Sequence, residues 1–296
     1  MRIELRGVRK RFGKTDVLRG IDVTVESGRR VALIGPNGSG KSTLLRAVLG
    51  LLDCEGEVLL DGRSPSQERI RLARRVAYVP QIAPQLSASV GEVVRLVALT
   101  RDIPVGRIAE LGARLELDVE RIRVRPFRKL SGGMKQKLLI AIAFASGAEL
   151  LVLDEPTASL DAAARERFFE LFGELSTNAT LLLCSHRIEE LRHLADHVLA
   201  LNEGRVTHDC PVTSFLGERG ASVLEVQVDS SEGAEWLADR AFRSGAPGWW
   251  VRTLSQADKV PLVRELTQKL DGTLRNLLIR DLEKVDASTE GSEHVA

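Results

Sequence analysis

The sequence predicts an α/β fold: a largely parallel sheet covered on both faces by helices, with a helical insertion near its middle and a second, smaller α/β unit at its C-terminal end. Three observations predict it. Short continuous apolar runs, "RRVALIG" (29–35), "ELLVLDEP" (149–156) and "TLLLCSH" (180–186), read as strands buried on both faces. Helical patterns alternate with them, as a parallel sheet with crossover helices requires. After Pro211 the pattern restarts as a shorter strand and helix alternation.

Taken in order, residues 2–6 and 21–25 alternate like half-buried strands. "RRVALIG" ends in a glycine and passes at once into the helix "KSTLLRAVLGLL" (41–52). "GEVLLDG" (56–62) reads as strand and turn, and "VAYVPQ" (76–81) as a strand stopped by Pro80, which has no N–H for a ladder. From about 84 to 128 the pattern is helical and arginine-rich, broken by Pro104 and Pro126, and the helical insertion is placed at about 84–146. Helices at 133–146, 161–175 and 187–196 separate the later strands, and a strand pair surrounds Gly204. "VLEVQV", "EGAEWLADRAF", "GWWVRTL", "DKVPLVRELTQKL" and "TLRNLLIR" then give strand, helix, strand, helix, strand, within a unit placed at 212–284. Residues 285–296 are polar and expected to be disordered.

Composition narrows the function. The chain has 296 residues, 44% hydrophobic and 28% charged, enough for a sizeable core and about two domains. Forty-two Lys plus Arg against forty-one Asp plus Glu leave a formal charge of +1, so no global basic field drives nucleic-acid binding. The arginine groups "RGVRKRF", "RIRLARR" and "RIRVRPFRK" read as solvated faces. Three cysteines without a CxxC pair read as reduced thiols in a cytosolic protein. "MRIELRGVRKRFG" lacks the apolar run of a signal peptide, and 138–153 falls short of the roughly 20 apolar residues that span a bilayer. Work at a membrane therefore requires spanning helices from another chain.

The chemistry concentrates in three motifs. "GPNGSGKST" (35–43) satisfies GxxxxGK[ST] between a buried strand and a helix. In the loop of Gly35, Pro36, Asn37, Gly38, Ser39 and Gly40 the glycines let the backbone curl so that successive N–H groups point at a polyphosphate, Lys41 adds a cation and the Ser42 hydroxyl suits Mg²⁺, and residues 35–43, Thr43 included, hold the phosphates. Asp154 and Glu155 sit at the end of a buried strand, where open α/β sheets bind ligands. Asp154 is placed to hold Mg²⁺ through water and Glu155 to polarise a water attacking the γ-phosphate. "LSGGMKQK" (130–137) opens a helix with Ser131, Gly132 and Gly133, a second phosphate-binding helix start in the same chain.

In these motifs the chain, over about residues 1–208, resembles the ATP-binding subunit of an ABC transporter, a member of the P-loop NTPase fold. "LSGG" is similar to the family's signature, Gln81 after "YVP" to its Q-loop, "SLD" at 159–161, with Asp161, to its D-loop, and His186 after "LLLCS" to its switch histidine. Phe12 in "KRFGK" resembles the aromatic that stacks on adenine. Met134 departs from the pattern by standing where the family most often has Gln, and a flexible thioether fills that space.

The resemblance implies ATP and Mg²⁺ as ligands, with Ser42, Gln81 and Asp154 organising the metal and Lys41, Glu155 and His186 acting in hydrolysis. It also explains the two phosphate sites: two copies face each other head to tail, and the signature of one caps the ATP lying on the phosphate loop of the other. The partners implied are a second copy and separately encoded membrane permease subunits, with no nucleic acid. The place implied is the cytoplasmic face of the inner membrane, peripherally. The C-terminal alternation is unlike the all-β regulatory domain of sugar importers and more similar to the tails of exporter-type ATPases, including those serving copper-site maturation of nitrous oxide reductase. The alternative is a soluble ABC-type ATPase acting on ribosomes or nucleic acid; such proteins resemble two fused ATP domains or carry long coiled-coil insertions, and this sequence has neither.

Two weaker signals complete the reading. His193 and His197, with His208 and Cys210 beyond, lack a further ligand of fixed spacing and read as solvated histidines. Trp236, Trp249 and Trp250 all fall in the C-terminal unit and read as its core, because a small domain needs large side chains to bury enough area.

Overall fold

The structure is a computed structural model that describes residues 1–176, 178–219, 221–245 and 248–281. The polar stretch 285–296 lies outside the described residues. Among the described residues the chain divides into two compact units, the first comprising Met1–His186 with Glu190–Asp209, the second 187–189 with 210–281.

In the first unit, β1 (Ile3–Phe12), β2 (Thr15–Val25) and β4 (Glu55–Leu60) form an antiparallel sheet with β1 central. A six-stranded sheet carries β3 (Arg30–Ile34), β5 (Val76–Val79), β6 (Leu150–Asp154), β7 (Thr180–Cys184), β8 (His197–Asn202) and β9 (Arg205–Pro211) in the order β5-β6-β7-β3-β8-β9. The first five of these run parallel. Strands β6 and β7 are buried at every position, as their unbroken apolar runs require. Placing β7 between β6 and β3 brings three strand C-termini, and the loops that leave them, to one edge. The turn from β8 to β9 has positive φ at Glu203 and Gly204, the backbone of a tight hairpin.

Among the described residues the α-helices between these strands are α1 (Lys41–Val48), α2 (Arg69–Ala73), α3 (Val90–Arg101), α4 (Val105–Arg114), α5 (Gly132–Ala145), α6 (Ala162–Leu175) and α7 (Ile188–Leu194). The N-terminus of α3 is fixed by a reciprocal capping box between Ser89 and Glu92. Helices α3 to α6 share one apolar core with β5, β6 and β7, in which Phe144 lies 5.8 Å from Phe168 and 6.4 Å from Phe172 between ring centroids. A second core fills the space between the antiparallel sheet, α1 and the other face of the parallel sheet, through residues such as Ile3, Leu18, Leu45 and Val152.

In the second unit α8 (Val212–Arg219), a helix that the sequence pattern does not announce, precedes β10 (Ala221–Val228). There follow α9 (Ser231–Asp239), β11 (Arg243–Ser244), β12 (Trp249–Ser255), α10 (Gln256–Lys269) and β13 (Leu274–Asp281). The sheet runs β11-β12-β10-β13 with antiparallel pairs throughout. Alternate residues Leu224, Val226 and Val228 of β10 pack with Leu237 of α9, with Leu262 and Leu266 of α10 and with Leu270 just past its end. Trp236 and Trp250 pack against this core; Trp249, paired with Gln227, stands on the other face of the sheet.

Candidate active site

The loop after β3 has the backbone that its glycines permit. Gly35, Gly38 and Gly40 have φ of 146°, 85° and 107°. A Cβ on Gly35 would lie 2.1 Å from the Leu201 carbonyl oxygen, and one on Gly40 2.9 Å from that of Val17. Only glycine fits either place. The Lys41 ammonium folds over the loop and donates to the carbonyl oxygens of Gly35 (2.6 Å) and Pro36 (3.0 Å). The Ser39 hydroxyl oxygen is buried without a hydrogen-bond partner.

Beside this loop lies a cavity of about 280 Å³ lined by Asn37, Gly38, Gly40, Lys41, Ser42, Thr43, Gln81, Asp154 and Glu155, and by Val17 and Cys184, which the motifs do not single out. A larger cavity of about 390 Å³ beside β4 holds no such constellation, so chemistry rather than size locates the site. Asp154 and Glu155 are 6% and 8% exposed. Burial pushes the Asp154 carboxyl above the usual carboxylate range; a hydrogen bond from Cys184 opposes the shift, and the neighbouring Glu155 adds to it. Burial, with the charge of Asp154 adding to it, also pushes the Tyr78 phenol up to about 12.

Glu155 is held at positive φ, 49°, and its N–H donates to the Cys184 carbonyl at 2.8 Å. An ionised carboxylate only accepts, so the 2.7 Å contact between Glu155 Oε1 and His186 Nδ1 is a donation from the ring N–H. The other oxygen, Oε2, is buried and has no partner. Glu155 lines the cavity, and a buried carboxylate oxygen without a partner in the chain calls for a donor from outside it. The residues present also fit Mg²⁺: two carboxylates, a hydroxyl and a side-chain amide around one cavity form an all-oxygen donor set, which a hard divalent cation prefers.

The remaining predicted residues do not line this cavity. Phe12 ends β1 at 48% exposure, with the Lys10 ammonium 5.3 Å from its ring centroid. Ser131 caps α5 by accepting from the Met134 N–H at 3.2 Å, and Ser131 and Gly132 are exposed. A Cβ on Gly133 would lie 3.0 Å from the Ser159 carbonyl oxygen, so the signature turn abuts the "SLD" loop of its own chain. The Asp161 side chain caps α6 by accepting from the Ala164 N–H at 2.8 Å. Sequence reasoning also missed two ties around Glu155. Buried Gln136 on α5 donates to the Pro156 carbonyl at 3.0 Å, and Thr157 donates to the buried Glu190 carboxylate. No motif spacing signals either contact. Of the weaker candidates, His193 stacks on Phe169 and His197 bonds Asp209.

The ABC transporter family pattern matches residues 18–158. The Nod factor export ATP-binding protein I of Cupriavidus metallidurans is 35% identical over 239 residues, covering 78% of each chain. The chain belongs to the ABC transporter ATP-binding family. The sulfate/thiosulfate import ATP-binding protein of Caulobacter vibrioides is 33% identical over 279 residues, covering 85% of this chain and 81% of its own. A dimeric bacterial ABC transporter cassette superposes with a TM-score of 0.64 at 26% identity, over 71% of this chain and 98% of that one. This ABC protein is thus an ATP-binding, ATP-hydrolysing transporter subunit. Members of the family dimerise and work with membrane permease subunits. Among the described residues no helix is long and apolar enough to cross a membrane.

Proposed function

We propose that two copies of this chain pair head to tail around two ATP molecules, each copy contributing the phosphate loop of one site and the signature of the other. Residues 35–43 hold the phosphates, and Phe12 stacks on adenine. Glu155 accepts a proton from the attacking water at Oε2 while His186, fixed through Nδ1, presents its ring toward the γ-phosphate. Ser42, Gln81 and Asp154 would hold Mg²⁺, which when bound supplies charge neutralisation for the transferring phosphoryl group. Ser131, with the N–H groups of Gly132 and Gly133, caps the ATP bound to the partner, and Asp161 shapes the loop between the two sites.

One observation carries this reading. The cavity that gathers Lys41, Asp154 and Glu155 lacks Ser131, Gly132 and Gly133, although all three bear the marks of a phosphate-binding helix start. On this reading the cap over a γ-phosphate on Lys41 comes from a second molecule.

The same reading places the chain on the cytoplasmic face of the inner membrane, bound to separately encoded permease chains and to no nucleic acid. For direction, we propose export on the C-terminal unit alone, whose pattern favours the exporter-type group that includes the ATPase of nitrous-oxide-reductase copper-site maturation; the relatives include both a Nod factor export protein and a sulfate/thiosulfate import protein. Affinity purification of the tagged full-length chain from detergent-solubilised membranes tests the assignment. Permease chains are expected in the eluate; ribosomes or nucleic acid in their place would overturn it.

A further inference from the structure

We propose that Gln136 is a positioning residue for the carboxylate of Glu155, a role that rests on the reading of Glu155 as the base. The Glu155 backbone sits at φ 49°, in the left-handed region. A residue with a side chain stays there only where its surroundings hold it. Three hydrogen bonds do so. The Glu155 N–H donates to the Cys184 carbonyl on β7 at 2.8 Å, and the Glu155 carbonyl accepts from the Ala158 N–H at 3.2 Å. One residue on, the Pro156 carbonyl accepts from the Gln136 side-chain amide at 3.0 Å. The first two bonds belong to the backbone whatever the side chains are. The third depends on one side chain, supplied by α5 from 20 residues away in sequence.

The amide is placed to act as a clamp. Gln136 is 3% exposed and Pro156 is buried, so the bond is made away from water. Helix α5 runs on into Leu138, Ile140 and Ala141, each fully buried, which fixes the direction from which the amide donates. Proline locks its own φ, so of the two backbone rotations between the anchored carbonyl and the Glu155 peptide only one is left. Removing the donor strands a buried carbonyl and lets the Glu155 backbone relax from its strained conformation. The carboxylate then leaves its place in the cavity, whereas the phosphate loop, which follows β3, keeps its own geometry.

The test is a double-mutant cycle on phosphate release by the full-length chain with Mg²⁺. Gln136→Met keeps the length of the side chain and removes its donor. Misplacing a reacting group by about an ångström costs up to about a hundredfold, so Gln136→Met is expected to lower kcat roughly 10- to 100-fold while KM for ATP stays within about twofold of the parent. Because the effect passes through Glu155, it disappears with that carboxylate: in the Glu155→Gln background, read by single turnover, Gln136→Met is expected to cost less than about twofold. A merely structural role would slow both backgrounds alike, and a disturbed signature turn at the head of α5 would raise KM. If Gln136→Met fails to fold by circular dichroism, Gln136→Leu is read in its place. An unchanged kcat, a raised KM with kcat kept, or an equal loss in both backgrounds would each overturn the proposal. Glu155→Gln alone separates the two layers. Turnover near the parental rate in that variant removes the base, and the role of Gln136 with it; a slow Glu155→Gln beside an unimpaired Gln136→Met removes only the positioning role.

Discussion

Replacing Glu155 by Gln isolates its charge from its shape. The amide has the same length, its carbonyl oxygen can still accept from His186 Nδ1 as Oε1 does at 2.7 Å, and the backbone tie to Cys184 at 2.8 Å is untouched. What disappears is the proton acceptor at Oε2, the buried oxygen that has no partner within the protein. Loss of a positioned base costs about 10²- to 10⁴-fold in rate, or roughly 3–5 kcal/mol of barrier. The fold should not suffer, because Gln also ends the repulsion between two adjacent buried carboxylates. The expected result is steady-state phosphate release down by at least about a hundredfold, with ATP binding retained and the thermal midpoint unmoved. With hydrolysis slowed, the variant accumulates as an ATP-bound dimer, visible by light scattering. Turnover close to that of the parent would mean that Glu155 is not the base, because no other unpartnered buried carboxylate oxygen belongs to a residue lining the cavity among the described residues.

Two further outcomes follow from the geometry. Gly35→Ala drives a Cβ to 2.1 Å from the Leu201 carbonyl, so the loop must shift; ATP-analogue affinity and thermal midpoint should both fall, and a variant with parental values of each would contradict the loop geometry. Arg75 donates to Glu149 at 2.7 Å through two nitrogens and also pairs with Asp61 at 2.5 Å, tying the turn after β4 to the start of β6. The Arg75 hydrogen bonds, against a smaller effect of burial, hold the Glu149 carboxyl below its usual range. A depressed carboxyl contributes stability above its unfolded value and loses it as pH falls through the folded one. Arg75→Gln should therefore cost up to about 1 kcal/mol in urea unfolding at neutral pH, discounted for the exposure of the pair, with the gap to the parent closing in acid below the usual carboxylate range. A gap of the same size at neutral pH and at about pH 3 would contradict it.

Legibility of the fold tracked how far its signals are local. Central strands were plain because β3, β6 and β7 are buried on both faces and so carry unbroken apolar runs. The N-terminal strands were underestimated: β1 reaches Phe12 and β2 starts at Thr15, but register shifts between Leu5 and Val8 and again between Lys10 and Arg11 break the alternation that marks a strand. Helix α8 hid because "VTSFLGER" is too short to show a period. In the site, the phosphate loop and the Asp154–Glu155 pair were readable because each is a continuous segment whose residue types the chemistry dictates. Cys184 was not, although it stands inside the quoted "LLLCSH" run. Its place beside Asp154 comes from the β6–β7 register, and no single strand records the register of its neighbour. Gln136 and Pro156 meet for the same reason, brought together by packing twenty residues apart.

If each ATP site is built from two copies of the chain, two copies with different defects should make one whole site between them. Lys41→Ala disables the phosphate loop and Ser131→Arg blocks the signature, so a homodimer of either has no whole site. A mixed dimer has one, formed by the phosphate loop of the Ser131→Arg copy and the signature of the Lys41→Ala copy. With differently tagged chains, ATP and Mg²⁺, pull-down on one tag should recover the other variant, and phosphate release should reappear in the mixture alone. Full activity of the Ser131→Arg chain by itself, or a mixture as inert as its components with no ATP-dependent recovery, would contradict the account.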